Sequence, residues 1–250
     1  MDSWRLALGT LTAIPTPPPG RVDRAVSRGA MLLGPLAVVP LGATVALILW
    51  VGRELGLAPL PVASVAVAAL ALGSRAFHLD GLSDTADGLT ASYDRERSLE
   101  VMKSGSAGPA GVVAVVLVLG TQVGALASLG LDEHGWWLAG FLVCASRATL
   151  AIACTTGIPA ARRDGLGSGP AGSVPLIVTS LVWLAILGIS AGLFSLAGYD
   201  AWRGPVALLA GIAVVGLLLA RCVSRFGGVT GDVFGTGIEL SLAAMLLAAT

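Results

Sequence analysis

The stretch R-A-F-H-L-D-G-L-S-D-T-A-D-G, Arg75 to Gly88, decides how this chain is read. It sets Asp80, Asp84 and Asp87 beside His78 in a protein of which only 12% is charged. At about 100° per residue, positions i, i+4 and i+7 of an α-helix fall within a sector of roughly 60°, so the spacing predicts all three carboxylates on one helical face. One unpaired aspartate in hydrocarbon costs on the order of 3 kcal/mol, and three together also repel one another. Such a row calls for a cation, and hard carboxylate oxygens suit Mg²⁺ or Mn²⁺ that also takes phosphate oxygens. Gly81 and Gly88 share a neighbouring face, open to another helix or to a substrate. His78 lies on the far side of an ideal helix from the acids and reads as a general base, a ligand or a hydrogen-bonded histidine. Arg75 is also off the acidic face, either an anchor at the membrane surface or a phosphate contact.

Outward from that stretch the composition is that of a membrane protein. The chain has 250 residues, 55% of them hydrophobic, and a mean hydropathy of +0.87, whereas a soluble domain is about 25% charged. The 15 basic and 15 acidic residues cancel, which argues against a nucleic-acid partner. The 34 glycines suit helices that approach closely in a polytopic bundle. Cys144, Cys154 and Cys222 lack metal-ligand spacing and read as packing residues. The amino terminus does not read as a cleaved signal peptide: Asp2 is acidic, and Leu6 to Ile14 runs into P-T-P-P-P-G.

Trp4 to Ile14 predicts a short interfacial helix, ended by the prolines. Apolar segments follow at about Ala30 to Val51, Leu60 to Phe77, Pro109 to Leu131, Trp136 to Thr156, Val174 to Ala197, Pro205 to Cys222 and Gly235 to Thr250. Against a span of about 20 residues the second and last are short. The expectation is an all-α, polytopic integral membrane bundle, a single domain over 1–250 with about seven transmembrane helices. A cytoplasmic amino terminus leaves only Arg53 and Arg203 outside and Arg147 within a span, a strong positive-inside bias. That orientation also puts the acidic stretch and the 92–108, 157–173 and 223–234 segments on the cytoplasmic face, where an enzyme acting on a cytosolic substrate needs them.

Three further constellations carry charge. Asp94 to Lys103 reads as a short surface helix with Leu99 and Met102 on one side; Lys103 with Gly105, Gly108 and Gly111 makes a candidate phosphate cradle at a helix entry. In R-C-V-S-R-F-G-G-V-T-G-D-V-F-G-T-G-I-E-L, Arg221 to Leu240, Arg225 precedes a glycine-rich turn. Asp232 and Glu239, seven apart, share a face if a helix begins at Asp232. Glu239 is a buried acid within the last span, with Arg225 or Arg147 as candidate partner. Arg162, Arg163 and Asp164 form a basic loop suited to phosphate or to fixing topology. Together these residues converge on phosphoryl chemistry at one membrane face.

The motifs H-L-D-G-L-S-D-T-A-D-G-L (His78 to Leu89), R-S-L-E-V-M-K with a following G-x-x-G-V-V, the late G-G-V-T-G-D-V-F-G with Glu239, and L-T-x-I-P at Leu11 to Pro15 resemble the cobalamin synthase (adenosylcobinamide-GDP ribazoletransferase) family. The resemblance runs in order over nearly the whole chain. It implies a Mg²⁺-dependent inner-membrane transferase of cobalamin biosynthesis, joining adenosylcobinamide-GDP to α-ribazole or its 5′-phosphate and releasing GMP. It also implies metal binding by Asp80, Asp84 and Asp87. The candidate catalytic set is Asp84, Asp87 and His78; the candidate phosphate-binding set is Arg75, Lys103, Arg225, Asp232, Arg147, Glu239 and Arg162. The sequence departs from the family at Ser104 and Ser106, where an acidic and a basic residue are expected, and at Ala13, where a basic one is common. Partners expected are the two substrates and membrane lipid, with a homo-oligomer left open.

Two other readings stand beside this one. A CDP-alcohol phosphotransferase shares the acids and the metal, but its D-G-x-x-A-R start and longer acid spacing are missing here. A cation-coupled transporter needs acids near the bilayer midplane on broken helices.

Overall fold

The computed structural model describes residues 1–162, 165 and 167–250. Among them the chain is all helical, with no strand and two isolated bridges, Thr155 with Val174 and Ala160 with Val229. The first helix, α1 (Asp2–Leu11), precedes the proline-rich connector. Then α2 (Arg24–Ala37) begins at Asp23, whose carboxylate caps it by accepting from the Val26 N–H at 2.8 Å. It continues through Val38 into α3 (Val39–Glu54), so the two form one 31-residue apolar run.

The next pair breaks. Helix α4 (Pro59–Gly73) and α5 (Phe77–Ala91) meet at an 89° bend. The apolar pattern from Leu60 to Phe77 had predicted one span, but it ends at Gly73. Its cause is local: Arg75 and Ala76 both adopt left-handed backbone, with φ of 57° and 54°, at about 1–2 kcal/mol each for a residue with a Cβ. Hydrogen bonds offset that cost. The Ala76 N–H donates to the Ala71 carbonyl at 2.7 Å and the Phe77 N–H to the Ser74 carbonyl at 3.2 Å. The Arg75 guanidinium donates to the Gly9 carbonyl of α1.

The short α6 (Arg95–Val101) lies as its pattern predicts, with Met102 buried and Leu99 half-buried against the core. Beyond it run α7 (Pro109–Leu129), α8 (Gly135–Ser146), α9 (Thr149–Ala153), α10 (Leu176–Leu196), α11 (Arg203–Phe226) and α12 (Gly231–Ala249). Among the described residues six helices or helix runs are long and apolar enough to cross a membrane, or seven if the bent pair counts as one span. Helix α12 is the hub, packed against α5, α7, α8, α9 and α11. By contrast α10 exposes Leu176, Ile177, Leu181 and Leu184. Large apolar side chains turned outward along helices of this length make a lipid-facing surface. The three cysteines are free, two of them buried, as packing residues should be.

The bundle has two unlike ends. At one, Arg203 lies 4.7 Å over the Tyr199 ring and donates to the Ala249 and Thr250 carbonyls. There the Tyr199 phenol donates to Asp132; burial, with that carboxylate beside it, pushes the phenol up to about 12. The other end gathers α5, α6 and the flanks of α11 and α12. Arg95 ties it together, donating to the Phe226 carbonyl at 2.6 Å and the Ala161 carbonyl at 2.8 Å.

Helices α3 and α8 cross at Gly42 and Gly140, where each residue's Cβ would stand 2.6–2.7 Å from the other's carbonyl oxygen. Gly42→Val should therefore lower the thermal unfolding midpoint of the solubilised protein, at on the order of 1–3 kcal/mol for overpacking. Gly120→Ala, with nothing within 4 Å of the new methyl, should not lower the midpoint and should raise it slightly, since alanine is the better helix former.

Candidate active site

The site is made by how closely α5 and α12 approach. A Cβ at Gly81 would stand 2.7 Å from the Asp232 carbonyl oxygen, and one at Gly235 would stand 3.0 Å from the His78 Cα. Only glycines admit backbones this near. Between these contacts the Thr236 hydroxyl stands 2.9 Å from both the Gly81 carbonyl and the Thr85 hydroxyl. Helix α12 starts at Thr230, whose hydroxyl accepts from the Val233 N–H and donates to the Asp232 carboxylate at 3.1 Å. Asp232 is therefore held in the first turn, where the helix dipole favours an anion.

As a result, acids from two helices share one electrostatic neighbourhood. Asp84 is half-buried and feels like charge from Asp80, Asp232 and Asp87, relieved by the Arg162 guanidinium. Arg162 also faces Asp232 and is tethered by donating to the Leu99 carbonyl at 2.5 Å. Arg163 and Asp164, predicted with it, lie outside the described residues.

The third acid of the expected row has a different task. Asp87 is buried, and its two oxygens accept from the Gly108 N–H at 2.7 Å and the Gly111 N–H at 2.9 Å. These are amides of the first turn of α7, which have no partner within their own helix. Asp87 thus caps α7 from a neighbouring helix. Two of the three glycines predicted as a phosphate cradle, Gly108 and Gly111, are taken up by this carboxylate; Gly105 is not. Among the described residues, no three His, Cys, Asp or Glu side chains are grouped so as to enclose a metal ion by themselves. The acids that converge are Asp80 and Asp84 with Asp232.

His78 turns away from these acids, as the helical geometry predicted. It is buried against Glu239, with Nδ1 3.6 Å from Oε1. Glu239 accepts from the Gln122 amide at 2.8 Å. Arg147 is fully buried at the break between α8 and α9, donating to the Val143 carbonyl and the Ser146 hydroxyl, and its charge reaches Glu239. Of the two arginines considered as partners for Glu239, Arg147 supplies field but no hydrogen bond, and Arg225 is engaged elsewhere. Arg225 donates to the Ser92 carbonyl and lies 4.7 Å over the Tyr93 ring. Arg75 is the clamp on Gly9, and Lys103 sits in the exposed turn after α6. Sequence reasoning missed Gln122, a lone amide inside an apolar span and so a legible signal. It also missed Arg95 and Phe77.

Two adjoining clefts open here. The smaller, about 210 Å³, is lined by Arg162, Asp232, Thr230 and Phe77. The larger, about 480 Å³, is walled by Leu6, Leu11, Met31, Leu150, Phe234 and Ile238, with His78 among them. Phe77, Gly165, Ser168 and Gly231 border both.

Comparison with known proteins gives consistent results. The profile of a family described as cobalamin-5-phosphate synthase matches residues 3–250. A Nocardioides protein named adenosylcobinamide-GDP ribazoletransferase is 54% identical over 247 residues, covering 99% of this chain and 97% of its own. Proteins of the same name from Frankia casuarinae and Pseudomonas paraeruginosa are 38% and 37% identical, covering 97% and 99% of this chain and 92% and 97% of their own. No solved structure matches.

The geometry separates two aspartates that the spacing makes equivalent. Asp87→Ala strips the cap from two amides and should lower the unfolding midpoint, by an amount on the order of 1–2 kcal/mol. Asp84→Asn relieves like-charge repulsion and should not lower it. Thermal unfolding of both variants in detergent checks the contrast.

Proposed function

This chain belongs to the cobalamin-5-phosphate synthase family, and we propose that it joins adenosylcobinamide-GDP to α-ribazole, or its 5′-phosphate, with release of GMP. The observation that supports this reading is that Asp80 and Asp84 on α5 lie within the electrostatic reach of Asp232 on α12 and of Arg162, the latter two lining a cleft at one end of the bundle. In the proposed reaction a ribose hydroxyl of the acceptor attacks the phosphorus that carries cobinamide. A new P–O bond forms, the P–O bond to the GMP leaving group breaks, and the hydroxyl proton passes to a carboxylate. Asp232 supports that last role because it lines the cleft. Arg162 would face the anionic oxygens of the diphosphate, in the role for which guanidinium is suited.

The residues fit a magnesium ion of the usual phosphoryl-transfer kind. Mg²⁺ is commonly bound by one or two carboxylates, with substrate phosphates and water completing its shell. A like-charged pair such as Asp80 and Asp84, with one arginine nearby, meets that need; a closed protein cage is not required. Bound there, the ion would neutralise charge developing on the diphosphate oxygens. The basic residues at this end, against Arg53 and Arg203 at the other, support a cytoplasmic site in a multi-pass protein of the cell membrane.

The test is to incubate membranes carrying the protein with adenosylcobinamide-GDP, α-ribazole and Mg²⁺ and to measure GMP. GMP release is expected, lost on chelation and reduced by at least about 100-fold in Asp84→Asn with membrane insertion intact. No GMP from the wild type, or full activity in Asp84→Asn, would overturn the reading.

A further inference from the structure

Arg95, the first residue of α6, lines neither cleft. Its guanidinium is nevertheless spent on two backbone carbonyls distant in sequence: Nε donates to Phe226 at 2.6 Å and Nη2 to Ala161 at 2.8 Å. Phe226 is the last residue of α11, where carbonyls have no partner within the helix. Gly227 follows with φ of 73°, and a Cβ there would stand 3.0 Å from Arg95 Cζ. The fork of Arg95 therefore lies against a left-handed turn suited to glycine.

The link between α6 and Ala161 is returned by the next residue. Arg162 donates to the Leu99 carbonyl at 2.5 Å, one turn along α6 from Arg95. Two arginines thus cross-link the same two segments in opposite senses: Arg95 holds the backbone just before Arg162, and α6 holds the Arg162 side chain. The Ala161 N–H also donates to the Val229 carbonyl, and the Val229 N–H to the Pro159 carbonyl, both at 2.9 Å. Val229 leads directly into Thr230 and Asp232 at the start of α12. The stretch that carries Arg162 and the turn that carries Asp232 are therefore bonded to each other, and Arg95 is bonded to both sides of the join.

A loose arginine is rotamer-rich, and ordering it when a ligand binds costs affinity. An arginine already fixed on its cleft wall avoids that cost, and displacing such a group by about 1 Å can cost on the order of 100-fold in rate. We propose that Arg95 is a positioning residue: by tying Ala161 to the end of α11 it presets Arg162 beside Asp232, so that the smaller cleft meets a diphosphate with its guanidinium in place. The inference rests on the reading above that Arg162 faces the diphosphate oxygens. It adds α6 to the site, as the element that holds the anion-binding segment from outside the cleft.

Titration of adenosylcobinamide-GDP into the purified full-length protein tests this through a double-mutant cycle. Arg162→Ala should weaken binding at least about tenfold, and Arg95→Ala by nearly as much. Added to Arg162→Ala, Arg95→Ala should cost less than about twofold more, because the group it places is gone. Arg95→Lys keeps the charge without the planar fork and should resemble Arg95→Ala; it carries the test alone if the alanine variant does not fold. In turnover, both Arg95 variants should raise KM for adenosylcobinamide-GDP and leave KM for α-ribazole unchanged, a split that general loosening of the fold would not produce. Wild-type affinity in the Arg95 variants, a full tenfold loss on top of Arg162→Ala, or equal weakening toward both substrates would overturn the proposal. No binding by the wild type, or undiminished binding by Arg162→Ala, would overturn the phosphate contact itself and the positioning role with it. The cycle reads binding alone, so its result holds whether or not the wild type releases GMP.

Discussion

The backbone contact between α5 and α12 is the constraint on which the site depends. Because Gly81 sits against the Asp232 backbone and Gly235 against His78, two helices far apart in sequence bring their polar residues into register on both sides of one seam. On one side Asp232 joins Asp80 and Asp84; on the other Glu239 meets His78. A methyl at Gly81 would push the helices apart and disturb both arrangements at once, whereas one at Gly235 would ask His78 to give by a few tenths of an ångström. The Thr236 hydroxyl, bridging toward Gly81 and Thr85, fixes their relative height.

The polar interior is costly, and the structure shows how the cost is contained. A buried acid or guanidinium must find charge and hydrogen bonds inside the protein. Glu239 has Gln122, His78 and the field of Arg147, while Arg147 itself leans on the carbonyl and hydroxyl of the turn before it. Asp87 is satisfied by the first amides of α7. Among the described residues the exposed Asp80 and the half-buried Asp84 accept no such hydrogen bonds, which leaves both carboxylates available to a ligand.

Much of this was legible in the sequence. Hydropathy located the crossing segments, the i, i+4, i+7 spacing found the acidic helix, and its periodicity turned His78 from the acids. The break after Gly73 was not legible, because Arg75 and Ala76 are not residues that announce left-handed backbone. Nor could helical spacing say that Asp87 would be spent on another helix, since that depends on where α7 begins in space. The pairing of Asp232 with Asp84, and of Glu239 with His78, is likewise a tertiary fact. The sequence supplied Asp232 and Glu239 as candidates but not their opposite neighbours.

The central proposal is that the Asp80 and Asp84 pair, with Asp232 nearby across the seam, would hold a divalent ion together with the diphosphate. Electron paramagnetic resonance of Mn²⁺, which reports the free ion, tests it most directly. With adenosylcobinamide-GDP present, the wild-type protein should take up one Mn²⁺ per chain, and a folded Asp80→Asn/Asp84→Asn variant should take up none. Equal uptake by that variant would contradict the account.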